Sequence, residues 1–184
     1  MHKTLKVYLS PLKSEDAPTL FNWINQRDLV LFNSGYKPVH ERNHQLWFES
    51  ITQKNDVFIF AIRKVEGDEL IGSCQLNNVN WINRNAELQI RIAADSERGK
   101  GFGADALLLL LKFGFNDLNL NKIYLNVFAT NSRAVKAYEK VGFNKEGDFK
   151  QQAYINGSYL DVVFMAILKE HYDKGLHHSG DTSA

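Results

Sequence analysis

The sequence has one cysteine, Cys74, so an internal disulfide is excluded. Its three prolines, Pro11, Pro18 and Pro38, all lie in the first forty residues, and no proline-rich linker follows. The longest apolar run, from Ala106 to Leu111, is far shorter than the ~20 residues that a transmembrane helix needs. Residues 1–6 lack the apolar core of a signal peptide. These absences favour a cytoplasmic protein without a membrane partner.

The sequence also lacks an excess of positive or negative charge. The 184 residues carry a formal net charge of +1, which gives no reason to expect nucleic-acid binding by bulk electrostatics. The hydrophobic content of 44% and the charged content of 23% are typical of a globular chain. We expect one domain over residues 1–170 and a polar, flexible tail over residues 171–184. The paired histidines of that tail have no evident third ligand, and no metal site is expected.

The apolar pattern of the remaining chain changes repeatedly between strand and helix periodicity. The predicted order is strand, helix, helix, three strands, helix, strand, helix and two strands, which indicates an α/β (α+β) fold with a mixed, mostly antiparallel sheet. Asn156-Gly157 is typical of the hairpin turn between the last two strands. The predicted strands are residues 5–9, 57–63, 70–79, 86–93, 123–128, 149–155 and 159–168, and the helices begin near residues 14, 40, 104 and 132.

The most informative segment joins the fourth predicted strand to the third helix. Three glycines at alternate positions let the backbone turn tightly and approach a ligand closely. The helix that follows directs its first N–H groups and its positive dipole end into this turn, an arrangement that suits a phosphate. An ordinary strand-to-helix turn is the alternative interpretation. The segment is Arg98, Gly99, Lys100, Gly101, Phe102, Gly103 and Ala104.

A second segment follows about thirty residues later and contains Asn131, Tyr138, Gly142 and Phe143. With Arg98, Gly101 and Gly103, these residues resemble the two ordered signatures of the GNAT acetyltransferases. The resemblance extends to the branch that includes ribosomal-protein N-terminal, spermidine and nucleotide-sugar amine acetyltransferases. It implies a GNAT fold with about seven strands, about four flanking helices and a splayed strand pair at the cofactor site. It also implies acetyl-CoA as cosubstrate, and dimers are common in this branch, so a homodimer is compatible with the sequence.

The resemblance assigns a role to several residues of this sequence. The fourth strand, at residues 89–93, would pair with pantetheine where it diverges from residues 123–128, and the N–H of Ile92 would stabilise the oxyanion. Tyr138 would act as general acid, because a phenol with a normal pKa of roughly 10 stays protonated at neutral pH. A core tyrosine is the competing interpretation. The cofactor-binding set is Arg91, Ile92, residues 98–104, Asn131 and Arg133; Asn131 would also cap its helix.

Glu87 is the candidate base that would take a proton from the amine. A carboxylate on an inner strand is costly unless it is paired or hydrated. Arg91 lies on the same face of the strand, but roughly 13 Å away at the usual rise, too far for a direct pair. A structural ion pair elsewhere, or a place at the edge of the substrate cleft, remain alternatives. Many enzymes of this family rely on water chains and have no single base.

The acceptor pocket is expected between the first two helices, their loop and the closing hairpin, with Tyr36, Trp47 and Tyr154 as wall residues. Each of the three is also compatible with simple packing. His44 is interpreted as a helix-surface histidine, with a base as the alternative. The region has few acidic residues, which argues against a polyamine and leaves protein N-termini and amino sugars open.

The leading functional prediction is therefore an acetyl-CoA-dependent N-acetyltransferase that works through a ternary complex. The primary amine would belong to an amino sugar, a polyamine or a protein N-terminus, that is, to a small molecule or a peptide. The alternative is a non-catalytic module of the same fold that binds an acyl-CoA without turnover. Retention of Tyr138 favours the enzyme, because a binding module needs no acid.

Overall fold

The computed structural model describes residues 4–51, 53–93 and 99–178, with side chains described up to residue 174. Its centre is a seven-stranded mixed sheet in the order β1-β2-β3-β4-β5-β7-β6. The pair β4–β5 is parallel and the other neighbours are antiparallel, as predicted. The strands are β1 Val7–Ser10, β2 Phe58–Lys64, β3 Leu70–Asn80, β4 Asn85–Ile92, β5 Lys122–Phe128, β6 Asn144–Ile155 and β7 Ser158–Leu168.

Six helices cover this sheet in the described part of the chain, against about four predicted. The two additions are the short α2 and the C-terminal α6. None of the described helices is both long and apolar enough to cross a membrane. The helices are α1 Ala17–Asn25, α2 Arg27–Val30, α3 Glu41–Ile51, α4 Phe102–Lys112, α5 Ser132–Lys140 and α6 Lys169–His178, with a 3-10 turn at Ser14–Asp16 and a π turn at Phe113–Asp117.

The main core lies between the sheet and α4. Leucines of α4, including Leu107, Leu110 and Leu111, are fully buried, as is Phe115 of the π turn. They form one cluster with inward-facing strand residues. Because successive side chains of a strand point to opposite faces, the residues between those core positions face the other side of the sheet.

Strands β4 and β5 form a fork. Their parallel ladder joins Asn85 to Lys122 and ends at the pair Glu87–Tyr124. Beyond that pair, β5 continues against β7 and β4 continues against β3. The splayed pair predicted from the resemblance is confirmed: the ladder ends at Glu87 and Tyr124, so residues 89–93 diverge from β5. The fork exposes backbone edges of both strands at the centre of the sheet.

The C-terminal segment differs from the expected tail. Helix α6 continues to His178, beyond the expected boundary at residue 170. Tyr172 is buried in the core cluster, and its ring lies 5.0 Å from that of Phe115. The segment is mostly polar, and its composition therefore indicated a tail. One aromatic residue, Tyr172, nevertheless packs the helix against the core. The assignment of residues 1–170 to a single domain stays a prediction.

Close contact between β3 and β4 gives the first testable prediction. A Cβ on Gly72 would stand 2.2 Å from the main-chain oxygen of Arg91, so Gly72→Ala must displace one of the two strands. We expect a loss of about 2 kcal/mol or more in the free energy of unfolding, measured by urea denaturation. Gly147→Ala is the matched control, because a Cβ there has no described neighbour within 4 Å. Equal stability of the two variants would contradict the close approach.

Candidate active site

A cavity of about 810 Å³ lies on the face of the sheet opposite α4, beneath α1 and α3. Its floor comes from β3 and β4, and its far end passes through the fork to α5. Glu87, Arg91 and Tyr138 all line it. The cavity therefore joins the candidate base and the candidate acid in one continuous space.

Glu87 lies at the base of the fork, at the last pair of the β4–β5 ladder. One carboxylate oxygen accepts a hydrogen bond from Asn78 Nδ2 and the other from Asn126 Nδ2, both at 3.3 Å. Burial raises the pKa of the Tyr124 phenol, and the nearby Glu87 carboxylate raises it further. Neutral amides thus hold Glu87 in position without neutralising its charge.

Tyr138 reaches the cavity from the opposite side of the fork. Its ring contacts Phe143 edge-on at 5.8 Å and packs against the main core. Burial raises the pKa of Tyr138 to about 12. The predicted acid and the competing core tyrosine are therefore compatible, because one side of the ring packs while the residue also lines the cavity. A phenol with this pKa is protonated throughout the neutral range.

The glycine-rich turn has the predicted geometry where it is described. Gly99 and Gly101 have φ values of +82° and +92°, in the left-handed region that favours glycine. Gly101 is the N-cap of α4, and its carbonyl accepts the hydrogen bond from the N–H of Asp105 at 3.1 Å. A Cβ built on Gly101 meets no atom of the described residues within 4 Å. These residues therefore leave space open in front of the positive end of the helix.

The neighbours of this turn include several other residues of the predicted cofactor set. Phe102, Gly103 and Ala104 form the first turn of α4. A Cβ on Gly103 would lie 3.7 Å from Ile92, and one on Gly99 would lie 3.7 Å from a guanidinium nitrogen of Arg133. The main-chain oxygen of Lys100 accepts a hydrogen bond from Lys6 Nζ. Arg98 lies outside the described residues.

Asn131 and Arg91 differ in how they are held. Asn131 is the N-cap of α5, and its side chain accepts a hydrogen bond from the N–H of Ala134 at 3.2 Å. Its capping role is confirmed. Arg91 lies on the same face of β4 as Glu87. Burial lowers the pKa of its guanidinium. The Nε atom of Arg91 has no hydrogen-bond partner among the described residues. Its side chain lines the cavity beneath α3, where an acceptor would also lie.

Of the three residues predicted to form the wall of the acceptor pocket, one lines the cavity. Trp47 of α3 lines the cavity. Tyr36 and Tyr154 do not appear among the lining residues of the described chain. The guanidinium of Arg27 lies 5.3 Å from the centre of the Tyr36 ring, and Tyr154 packs on Tyr159 at 5.0 Å while 61% of it stays exposed. An acceptor role for these two tyrosines stays a prediction.

The expectation that His44 lies on the helix surface is wrong. It is buried, with 6% exposure, rather than on the helix surface. Its ring lies 5.5 Å from that of Phe21 and 5.1 Å from that of Trp47, and burial lowers its pKa. Because it also lines the cavity, it supplies a neutral imidazole to the wall. Its spacing of three residues from Trp47 is the signal that could have placed both on one face.

Comparison with known proteins agrees with this geometry. Residues 6–144 match the acetyltransferase (GNAT) domain. A spermidine N(1)-acetyltransferase of Vibrio cholerae is 45% identical over 103 residues, which cover 56% of this chain and 59% of that protein. The Escherichia coli K12 enzyme of the same name is 38% identical over 104 residues, covering 56% and 55%. The alignments thus span just over half the length of these relatives.

A solved structure extends the likeness to most of the chain. The spermidine N-acetyltransferase from Vibrio cholerae, crystallised with CoA and spermine, superposes with a TM-score of 0.82 at 34% identity. The match covers 91% of this chain and 98% of that structure. The chain belongs to the GNAT acetyltransferase family, as its residues 98–104 and 131–143 indicated.

Proposed function

We propose that this protein transfers the acetyl group of acetyl-CoA to a primary amine in a ternary complex. The single observation that carries the proposal is the cavity through the β4–β5 fork, which Glu87 and Tyr138 enter from different elements. The acceptor is a small-molecule or peptide amine. We further propose a cytoplasmic location and a homodimer.

The chain offers a fitting place for the cofactor. The open space before α4, the positive end of that helix and the cations of Lys100 and Arg133 suit a diphosphate. The edge of β4 that faces the fork suits the amide groups of pantetheine. Bound acetyl-CoA would supply the thioester carbonyl that the amine attacks.

Backbone directions support the proposed role of Ile92. The N–H of Ala93 donates to the carbonyl of Ile71 at 2.9 Å, on the β3 side of β4. Because successive N–H groups along a strand point to opposite edges, the N–H of Ile92 points toward the fork. There it would stabilise negative charge on the carbonyl oxygen as the amine adds.

Glu87 and Tyr138 would complete the proton transfers. Glu87 accepts a proton from the ammonium group of the acceptor, directly or through water. Tyr138 donates its phenolic proton to the sulfur as the bond between carbonyl carbon and sulfur breaks. The ammonium group would lose one proton to Glu87 before it attacks. The nitrogen of the tetrahedral adduct would lose a second proton, which returns to Tyr138 through water and replaces the one given to the sulfur, while Glu87 passes its proton to solvent.

The proposal is tested by following free-thiol release from acetyl-CoA with spermidine, glucosamine and short peptides as acceptors. Release that depends on an added amine, together with the acetylated product by mass spectrometry, supports transfer. Tight binding of CoA without release would instead favour the non-catalytic module. The names of the relatives favour including a polyamine in the panel.

Glu87→Gln is expected to lower the rate about 10- to 100-fold at pH 7, with a smaller deficit as the pH rises. The amide cannot accept the amine proton, but at high pH the free amine is already neutral. The measurement is kcat/KM from pH 6 to 10. Glu146→Gln, whose carboxylate pairs with Lys122 at 2.6 Å on the sheet edge, is the control. A constant ratio of wild type to Glu87→Gln across this range would remove Glu87 as the base.

A further inference from the structure

We propose that the acceptor is an amine that also carries an anionic group, a carboxylate or a phosphate, rather than a polycationic polyamine. This inference rests on the proposed function and specifies its substrate class. It follows from the order of charges along the cavity floor. An ammonium group would lie at Glu87 and the anion at Arg91.

The described lining residues hold more positive than negative charge. Lys54 and Arg91 are cations, whereas Glu87 is the one carboxylate among them. His44 adds no positive charge near neutral pH, because burial lowers its pKa. One carboxylate matches one ammonium group. A polyamine would bring two or three further cations into a space that already contains two.

The three outward residues at the end of β4 form a graded floor. Glu87, Gln89 and Arg91 face the cavity at successive alternate positions, about 6.6 Å apart along the strand. Gln89 Oε1 accepts a hydrogen bond from Gln75 Nε2 at 2.9 Å, so the middle of the floor is polar and uncharged. The sequence of negative, neutral and positive groups complements an acceptor that is cationic at one end and anionic at the other.

Arg91 is the specific feature that calls for an anion. Its Nε is shielded from solvent and has no hydrogen-bond partner among the described residues. A buried N–H donor without a hydrogen-bond partner costs free energy. A carboxylate or a phosphate offsets this cost best, because both form strong, charge-assisted hydrogen bonds with arginine. Ser73 lies opposite Arg91 in the β3–β4 register and also lines the cavity, so its hydroxyl adds a second donor there.

The test uses acceptors that differ in one charge. Triglycine as the free acid is compared with triglycine C-terminal amide, and 6-aminohexyl phosphate with 6-aminohexanol, which separates a carboxylate from a phosphate at a length that can reach from Glu87 to Arg91. Spermidine is the polycation. We expect one anionic member to exceed its neutral partner by about 10- to 100-fold in kcat/KM, mostly through KM. We expect spermidine to be used less well than that anionic acceptor.

Variants of Arg91 test whether this residue causes the preference for an anionic acceptor. Arg91→Gln should remove the preference for the anionic acceptor and leave the KM of acetyl-CoA unchanged, whereas Arg91→Lys should keep part of it. Arg84→Gln, a change at an exposed turn residue, should behave as wild type. A calorimetric titration with CoA checks that each variant is folded and binds the cofactor.

The outcomes separate the two proposals. If no amine is acetylated, the proposed function fails and this inference fails with it. If amines are acetylated but spermidine is preferred, or acid and amide are used equally, only the inference is overturned. It is also overturned if Arg91→Gln raises the KM of acetyl-CoA alone, since Arg91 would then belong to the cofactor site.

Discussion

Tyr138→Phe is expected to lower kcat about 10²- to 10⁴-fold while the affinity for CoA stays the same. The change removes the hydroxyl that would protonate the leaving sulfur and keeps the ring that contacts Phe143. Because the aromatic packing is preserved, the free energy of unfolding should change little. The measurements are steady-state thiol release and calorimetric titration with CoA.

The raised pKa of Tyr138 adds a pH dependence to this prediction. A group acts as an acid only below its pKa, and that of Tyr138 is about 12. The wild-type rate should therefore show no loss from deprotonation of this phenol between pH 7 and 10. An unperturbed tyrosine, with a pKa near 10, would already be half ionised at the upper end of that range.

Tyr172→Phe is the control for Tyr138→Phe. It also removes one hydroxyl from a buried tyrosine, but its ring packs on Phe115, away from the cavity. Its kcat should equal that of the wild type. Wild-type turnover by Tyr138→Phe would exclude the phenol from the reaction and shift the choice of acid to water.

The order of strands and helices along the chain and the start of α4 could be predicted because they depend on local signals. Alternation of apolar and polar residues from Ala86 to Ile92 indicated a strand, and the glycines at 99 and 101 indicated a tight turn before a helix. Both signals lie within a few residues of the structure they specify. The position of Asn131 at a helix start is local in the same sense, and its capping hydrogen bond was predictable.

Contacts between distant elements explain the differences from expectation. On α3 the sequence was interpreted to place His44 on the helix surface, yet His44 is buried, whereas Leu46 of the same helix is 54% exposed. Phe21 lies on α1, and its contact with His44 depends on how the two helices pack. No periodicity within α3 reveals that partner, and an imidazole does not mark an apolar face.

The hydrogen-bond partners of Glu87 could not be predicted from the sequence for a similar reason. Asn78 belongs to the irregular end of the β3–β4 ladder, where the register shifts between Asn77 and Asn80. Asn126 belongs to β5 and faces Glu87 across the fork. Neither amide has a distinctive sequence context. Their roles depend on strand register and on the divergence of two strands, which single-residue patterns do not specify.

Gly101→Val is expected to weaken CoA binding by at least 100-fold. A side chain at this position would enter the open space before α4, where the diphosphate is proposed to lie. A valine is also strained at a φ of +92°, which alone would cost about 1–3 kcal/mol of stability. Calorimetric affinity for CoA and urea denaturation separate the two effects.

Gly157→Val is the matched control for this strain. Gly157 has a φ of +87° in the β6–β7 turn, and in the described part of the chain a Cβ there also meets nothing within 4 Å. Both variants should therefore lose similar stability, but only Gly101→Val should lose affinity for CoA. Equal affinities would show that the turn before α4 is only a connection between strand and helix. The diphosphate would then have to bind elsewhere, and the role of the glycine-rich segment in the proposed reaction would be withdrawn.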